Sequence, residues 1–125
     1  MNPPNEERHG GQDSTPPRPP GPLRPDAPRS AFWTDRTVTW YRRAAERGAY
    51  AARVLDAIGP RLDSCGTALD VGAGCGALAV PLARRLHEVT ALEPSPAMAR
   101  GLRRWAAEAG LANVTVVEAA WGLRK

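Results

Sequence analysis

The nine residues "ALDVGAGCG", 68–76, constrain this chain more than any other feature, because an apolar run carrying one aspartate meets three glycines at alternate positions. Glycine reaches backbone conformations closed to other residues, so a turn is predicted here between a strand before it and a helix after it. "TALDV", 67–71, reads as a short buried strand. "CGALAVPLARRL", 75–86, reads as an amphipathic helix on Leu78, Leu82 and Leu86, kinked by Pro81.

The pattern then repeats. "VTALE", 89–93, is a second strand, and Ser95 as N-cap with Pro96 at the first helical position opens a second helix. Met98, Leu102, Trp105 and Ala109 form one stripe along it, Gly110 ends it, and "NVTVVEA", 113–119, is a third strand. Strands alternating with helices at this spacing predict a parallel sheet with right-handed crossovers. The fold class is therefore α/β: a partial Rossmann-like, doubly wound sheet comprising the first β-α-β-α-β half.

Upstream, residues 31–60 read as a helical segment that Gly48 breaks in two and Gly59-Pro60 closes, with Thr34 as a candidate N-cap. Val54, Leu55 and Ile58 are spaced to face a core. Phe32, Trp33, Trp40, Tyr41 and Tyr50 are five of the chain's seven aromatic residues and are expected to pack in that core rather than touch a ligand. Residues 1–30 differ in kind. They hold nine of the 13 prolines and, after Met1, only Leu23 as a large aliphatic residue, which predicts a disordered Pro-rich tail. The domain proper thus spans 31–125, with its ligand-binding half at 66–121.

Several function classes are disfavoured by composition. Export and membrane insertion lack their apolar segments, so a cytoplasmic protein with no membrane partner is expected. Cys65 and Cys75 have no metal-ligand spacing, so no metal site is expected and both should be reduced thiols. The net charge of +4 comes with arginines scattered as pairs through tail and helices, which suits solvated faces more than a nucleic-acid footprint. Nucleic acid stays open as a partner.

A turn that leads from the end of a strand into a helix presents unpaired backbone N–H groups, and glycines let a ligand approach them closely. Glu93, seventeen residues beyond Gly76, ends the second strand where a carboxylate accepts hydrogen bonds from ribose hydroxyls. The two features together specify a nucleotide-like ligand. "GAGCGA" also satisfies a dinucleotide fingerprint, and a fragment of a nicotinamide-dependent oxidoreductase is one alternative. Asp70 argues against it, because a carboxylate beside an anionic pyrophosphate is repulsive, whereas a cationic ligand reverses the sign.

The acid followed by x-G-x-G-x-G, met as Asp70, Gly72, Gly74 and Gly76, resembles the first motif of the class I S-adenosylmethionine-dependent methyltransferases. The resemblance implies S-adenosylmethionine as cofactor, with the backbone of Gly72, Ala73, Gly74 and Gly76 bordering its methionine part and Asp70 near its ammonium group. It also implies Glu93 on the ribose hydroxyls, Pro94 following as in many of these enzymes, and Met98 packed on the adenine. The aromatic segment around Trp33 and Tyr41 resembles one that covers the cofactor in such proteins. The family's acid near the adenine amino group has no counterpart, since the chain reads "VVEAAWGLRK" with Glu118 early and Trp121-Gly122 where that acid would stand.

No catalytic residue is assigned. From Thr67 onward 59 residues remain, whereas a β-α-β unit takes roughly 30 and a sheet of six or seven strands on the order of 180. The chain is accordingly expected to be a truncated or split methyltransferase, with one sheet face bare and the first strand an open edge. The alternatives are a non-catalytic interaction module and a half that needs a partner chain or a second copy to cover the sheet. A small-molecule acceptor is the default expectation.

Overall fold

The computed structural model describes Gly21 and residues 29–122; the expectation for the tail otherwise lies outside the described residues. A 3-10 turn, Arg29–Phe32, leads into two helices, α1 (Asp35–Arg47) and α2 (Tyr50–Leu62). Then come β1 (Thr67–Val71), α3 (Ala79–Ala83), β2 (Glu88–Leu92), α4 (Pro96–Glu108) and β3 (Val114–Val117). The three strands are all parallel in the order β1-β2-β3, with Asp70 opposite Ala91 and Val71 opposite Leu92. This is the predicted α/β half-sheet.

Local chemistry explains most of the boundaries. Thr34 and Thr37 form a reciprocal capping box at the start of α1, at 3.3 Å and 2.8 Å, which satisfies two otherwise orphan N–H groups. Ser95 caps α4 by accepting the Met98 N–H at 3.3 Å, with Pro96 at the first helical position, where no N–H is needed. At its other end Gly110, φ +70°, turns left-handed; its N–H meets the Ala107 carbonyl at 3.0 Å and that of Leu111 the Ala106 carbonyl at 2.9 Å. Those two bonds close the helix in the manner of a Schellman motif.

Two elements differ from the pattern read in the sequence. The helix after the glycine turn is five residues long rather than twelve, because Gly76 at φ +107° cannot carry helical backbone and defers the start to Ala79. Pro81 then falls in the first turn, the part of a helix where proline is best tolerated. The carbonyls of Ala83 and Leu86 are instead taken by the side-chain amide of Asn113, at 2.8 Å and 3.0 Å. Gly59-Pro60, in turn, does not end α2, which runs on to Leu62. Leu55, Ile58 and Leu62 pack one above another against the core, and that burial outweighs the interruption at Pro60.

The core lies on one face of the sheet. Val89, Ala91 and Leu102 are fully buried together with Ala79, while Leu82, Ala83 and Leu86 close around them. A second cluster joins Val38 of α1 to Cys75, Val80, Ala97, Met98 and Trp105. Gly101 is what lets α1 and α4 meet: a Cβ there would stand 2.5 Å from Val38 Cγ1. On the opposite face β1 is left uncovered by the described residues, with Leu69 at 52% and Val71 at 49% exposed, and β1 forms an edge of the sheet.

Candidate functional site

The turn after β1 is pinned to the end of β2. Leu92's carbonyl accepts both the Gly72 and the Ala73 N–H, at 2.8 Å and 3.1 Å, and the Gly76 N–H returns to the Ala73 carbonyl at 3.2 Å. Gly72 has φ +73° and no atom within 4 Å of where a Cβ would lie, so its backbone faces open space that a ligand can enter. Gly76 serves a different purpose. A Cβ on it would lie 2.9 Å from Val80 Cγ2 and 3.3 Å from Leu102 Cγ, so it is a packing glycine beneath the turn.

Asp70 and Glu93 sit at the ends of neighbouring strands, on the same cleft. Asp70 is half-buried, and its Oδ2 is the one buried side-chain oxygen or nitrogen among the described residues without a hydrogen-bond partner. Burial raises its pKa above the ordinary aspartate value. Glu93 is 8% exposed; burial raises its pKa, the backbone N–H groups of Ser95 and Gly74 pull it down, and the charge of Asp70 pushes it up again, leaving it raised.

The cleft has a volume of about 270 Å3. Of the residues singled out in the sequence it gathers Asp70, Gly72, Ala73, Gly74, Glu93 and Met98. Gly76 lies buried beneath the turn and Pro94 is exposed beside it, so neither lines the cleft. No lysine, arginine or histidine lines it among the described residues. The site is therefore acidic, built of two carboxylates that desolvation makes reluctant to stay charged without a cation or hydrogen-bond donors.

The aromatic segment forms only part of the core that the sequence suggested, Trp33 packing against the cluster of Val38 and Trp105. Tyr41 is 40% and Tyr50 63% exposed, Phe32, Trp33 and Trp40 are half-buried, and the buried residue of α1 is Val38. Phe32, Trp33 and Tyr41 stack edge to face at 4.7 Å and 5.6 Å, and Trp33, Tyr41 and Tyr50 wall the cleft. The missed signal is in α1 itself. With only Val38 and the small Ala45 packed on the core and basic residues flanking the aromatics, the helix has little apolar surface to bury. Ala77, the last residue of "GAGCGA", and Leu78, read in the sequence as part of a helix's apolar stripe, also line the cleft.

Cys75, between two of the glycines, is wholly buried, and burial pushes its thiol up to about 11. It is an inert filler. Beyond β3, Glu118 pairs with Arg103 at 2.6 Å and Trp121 is exposed, so neither reaches the cleft.

The family model of the methyltransferase domain matches residues 68–122, which hold β1, the glycine turn, Glu93 and everything through β3. The match covers 55 of the chain's 125 residues and marks this stretch as similar to that domain. Solved structures of methyltransferases share its fold. A candidate S-adenosyl-L-methionine-dependent methyltransferase of Methanococcus maripaludis aligns at TM-score 0.57 and 19% identity, over 78% of this chain and 46% of that one. The 16S rRNA methyltransferase of T. thermophilus, in complex with AdoMet and guanosine, aligns at TM-score 0.50 and 32% identity, over 55% of this chain and 19% of that one. A methyltransferase-like protein of Escherichia coli aligns at TM-score 0.52 and 22% identity, over 59% and 42%. The chain thus spans less than half the length of each of these proteins. No curated protein matches the sequence. No helix among the described residues is long and apolar enough to cross a membrane.

Proposed function

We propose that the chain is an S-adenosylmethionine-dependent methyltransferase, or the donor-binding part of one, and that the Asp70–Glu93 cleft holds the methyl donor. The observation that carries this reading is the orphaned Oδ2 of Asp70, a buried carboxylate oxygen on a cleft that no base lines among the described residues. An unpaired buried acceptor is destabilising until a donor reaches it, and a ligand ammonium would supply both the proton donor and the opposite charge. A dinucleotide would set its pyrophosphate beside the Asp70 carboxylate instead.

The remaining residues fit the same ligand. Glu93, already anchored by the N–H groups of Ser95 and Gly74, would accept from two vicinal ribose hydroxyls through its remaining lone pairs. Gly72 and Gly74 would let the methionine portion lie against bare backbone, and Met98, buried at the start of α4, would offer a polarizable surface to the adenine. Trp33, Tyr41 and Tyr50 would shut out water from the open side. S-adenosylmethionine, when bound, supplies a methyl group activated by its sulfonium. The protein's own contribution is to orient the donor and keep its surroundings dry.

Isothermal titration with S-adenosylhomocysteine, which keeps the ammonium and ribose, tests the assignment. Charge-assisted hydrogen bonds contribute about 1.5–3 kcal/mol, so Asp70→Asn and Glu93→Gln should each weaken binding about ten- to a hundredfold. Binding unchanged in both variants, or preference for a nicotinamide dinucleotide, would overturn it.

A further inference from the structure

The sequence scatters its arginines, but the fold brings α1 and α4 side by side and gathers seven of them on two helices: Arg36, Arg42, Arg43 and Arg47 of α1, and Arg100, Arg103 and Arg104 of α4. A groove of about 290 Å3 runs between these helices, with Arg43 and Arg104 on its walls and Val38 packed on Gly101 at its floor. It shares no residue with the acidic cleft.

The groove's two carboxylates share one guanidinium, that of Arg42. Arg42 reaches Glu46 at 3.1 Å and Glu108 at 2.6 Å, and its guanidinium lies 4.9 Å from the centre of the Trp105 ring. Burial alone would lower the pKa of Arg42, but the hydrogen bonds and charges of Glu108 and Glu46 outweigh it and hold the guanidinium above its usual value. Arg100 is matched by Asp35 at 3.1 Å and Arg103 by Glu118 at 2.6 Å. Arg36, Arg43, Arg47 and Arg104 are exposed and have no acidic partner among the described residues. Arg36, Arg43 and Arg47 are seven and four residues apart, which aligns them along one face of α1 over about 16 Å.

We propose that this arginine face of α1 and α4 docks the phosphate backbone of a nucleic acid. Guanidinium is the side chain best matched to phosphate, and a row of three with a fourth across the groove presents repeated cations to a repeating anion. The contact proposed is to the backbone: Tyr41 walls the other cleft, and Trp40, four residues from Arg36 and three from Arg43, is half-buried. This surface is independent of the methyl-donor reading and stands or falls without it.

The test is fluorescence anisotropy of the full chain with a short, mixed-sequence, single-stranded oligoribonucleotide between about 50 and 200 mM salt. Four released counterions on a single strand give a log–log salt slope of about −3. The wild type should show that slope. Arg36→Gln/Arg43→Gln/Arg47→Gln/Arg104→Gln should flatten it and weaken binding at least tenfold at low salt, with an unchanged melting curve because all four side chains are exposed. Arg61→Gln/Arg84→Gln, which removes charge from elsewhere on the surface, should bind much as the wild type does. Absence of salt-dependent binding, or an equal effect per charge in the Arg61/Arg84 variant, would overturn the proposal. Displacement of the oligonucleotide by polyglutamate at equal charge would do the same by assigning the face to an acidic protein.

Discussion

Replacing Asp70 by asparagine should make the unliganded protein more stable at neutral pH, although it should weaken donor binding. Burial raises the pKa of Asp70 in the folded chain; in the unfolded chain the carboxyl titrates normally. The folded state therefore holds its proton more tightly, and stability falls as pH rises from the ordinary aspartate range through the raised folded value. Below that window the penalty is absent, and above it the penalty is complete. The structural source is Oδ2, buried with no partner, and an unsatisfied buried polar group costs about 1–3 kcal/mol, more when charged. Asparagine keeps the shape and leaves an unpaired amide in place of an unpaired charge, so a net gain of about 1 kcal/mol is expected at neutral pH. For a folded unit of this size that raises Tm by about 4–8 °C. Thermal melts of both proteins from acidic to neutral pH, without ligand, measure it: the variant's advantage should vanish in acid, where Asp70 is itself neutral. A variant that melts at or below the wild type at neutral pH, or a difference that ignores pH, would refute the reasoning.

Three further outcomes follow from the packing. Gly76→Ala adds a Cβ 2.9 Å from Val80 Cγ2 at φ +107°, and overpacking with left-handed strain should destabilise by about 2–4 kcal/mol in a denaturant melt. Gly101→Ala should destabilise by about 1–3 kcal/mol through its clash with Val38, and Val38→Ala in the same chain should recover part of that loss, which a double-mutant cycle reads directly. In the native protein a thiol reagent should modify exposed Cys65 promptly and spare Cys75, whose buried thiol is pushed up to about 11; equal labelling of both before unfolding would contradict the packing around the turn.

Much of this architecture was legible from local chemistry. The β1 strand, the Ser95-Pro96 start of α4, its Gly110 stop and the Thr34 cap of α1 each rest on residues within a few positions of one another, and short-range hydrogen bonding and backbone preference settle such features. Asp70 and Glu93 were legible as a pair because parallel strands in sequence order must bring their carboxyl ends together. The length of α3 was not legible, since it depends on the left-handed Gly76 and on Asn113, thirty residues downstream, taking the Ala83 carbonyl.

The sequence by itself determined a glycine turn between strand and helix, two acids spaced to share a cleft, and an α/β half-sheet. Only the tertiary structure decided that Trp33, Tyr41 and Tyr50 wall that cleft, Trp33 packing on the core as well, that Gly76 packs beneath the turn rather than lining it, and that scattered arginines meet across α1 and α4. The physical reason is the same in each case. Turns, caps and strand order follow from neighbours along the chain, whereas what a side chain finally touches depends on which helix face α4 leaves open once Gly101 has admitted Val38.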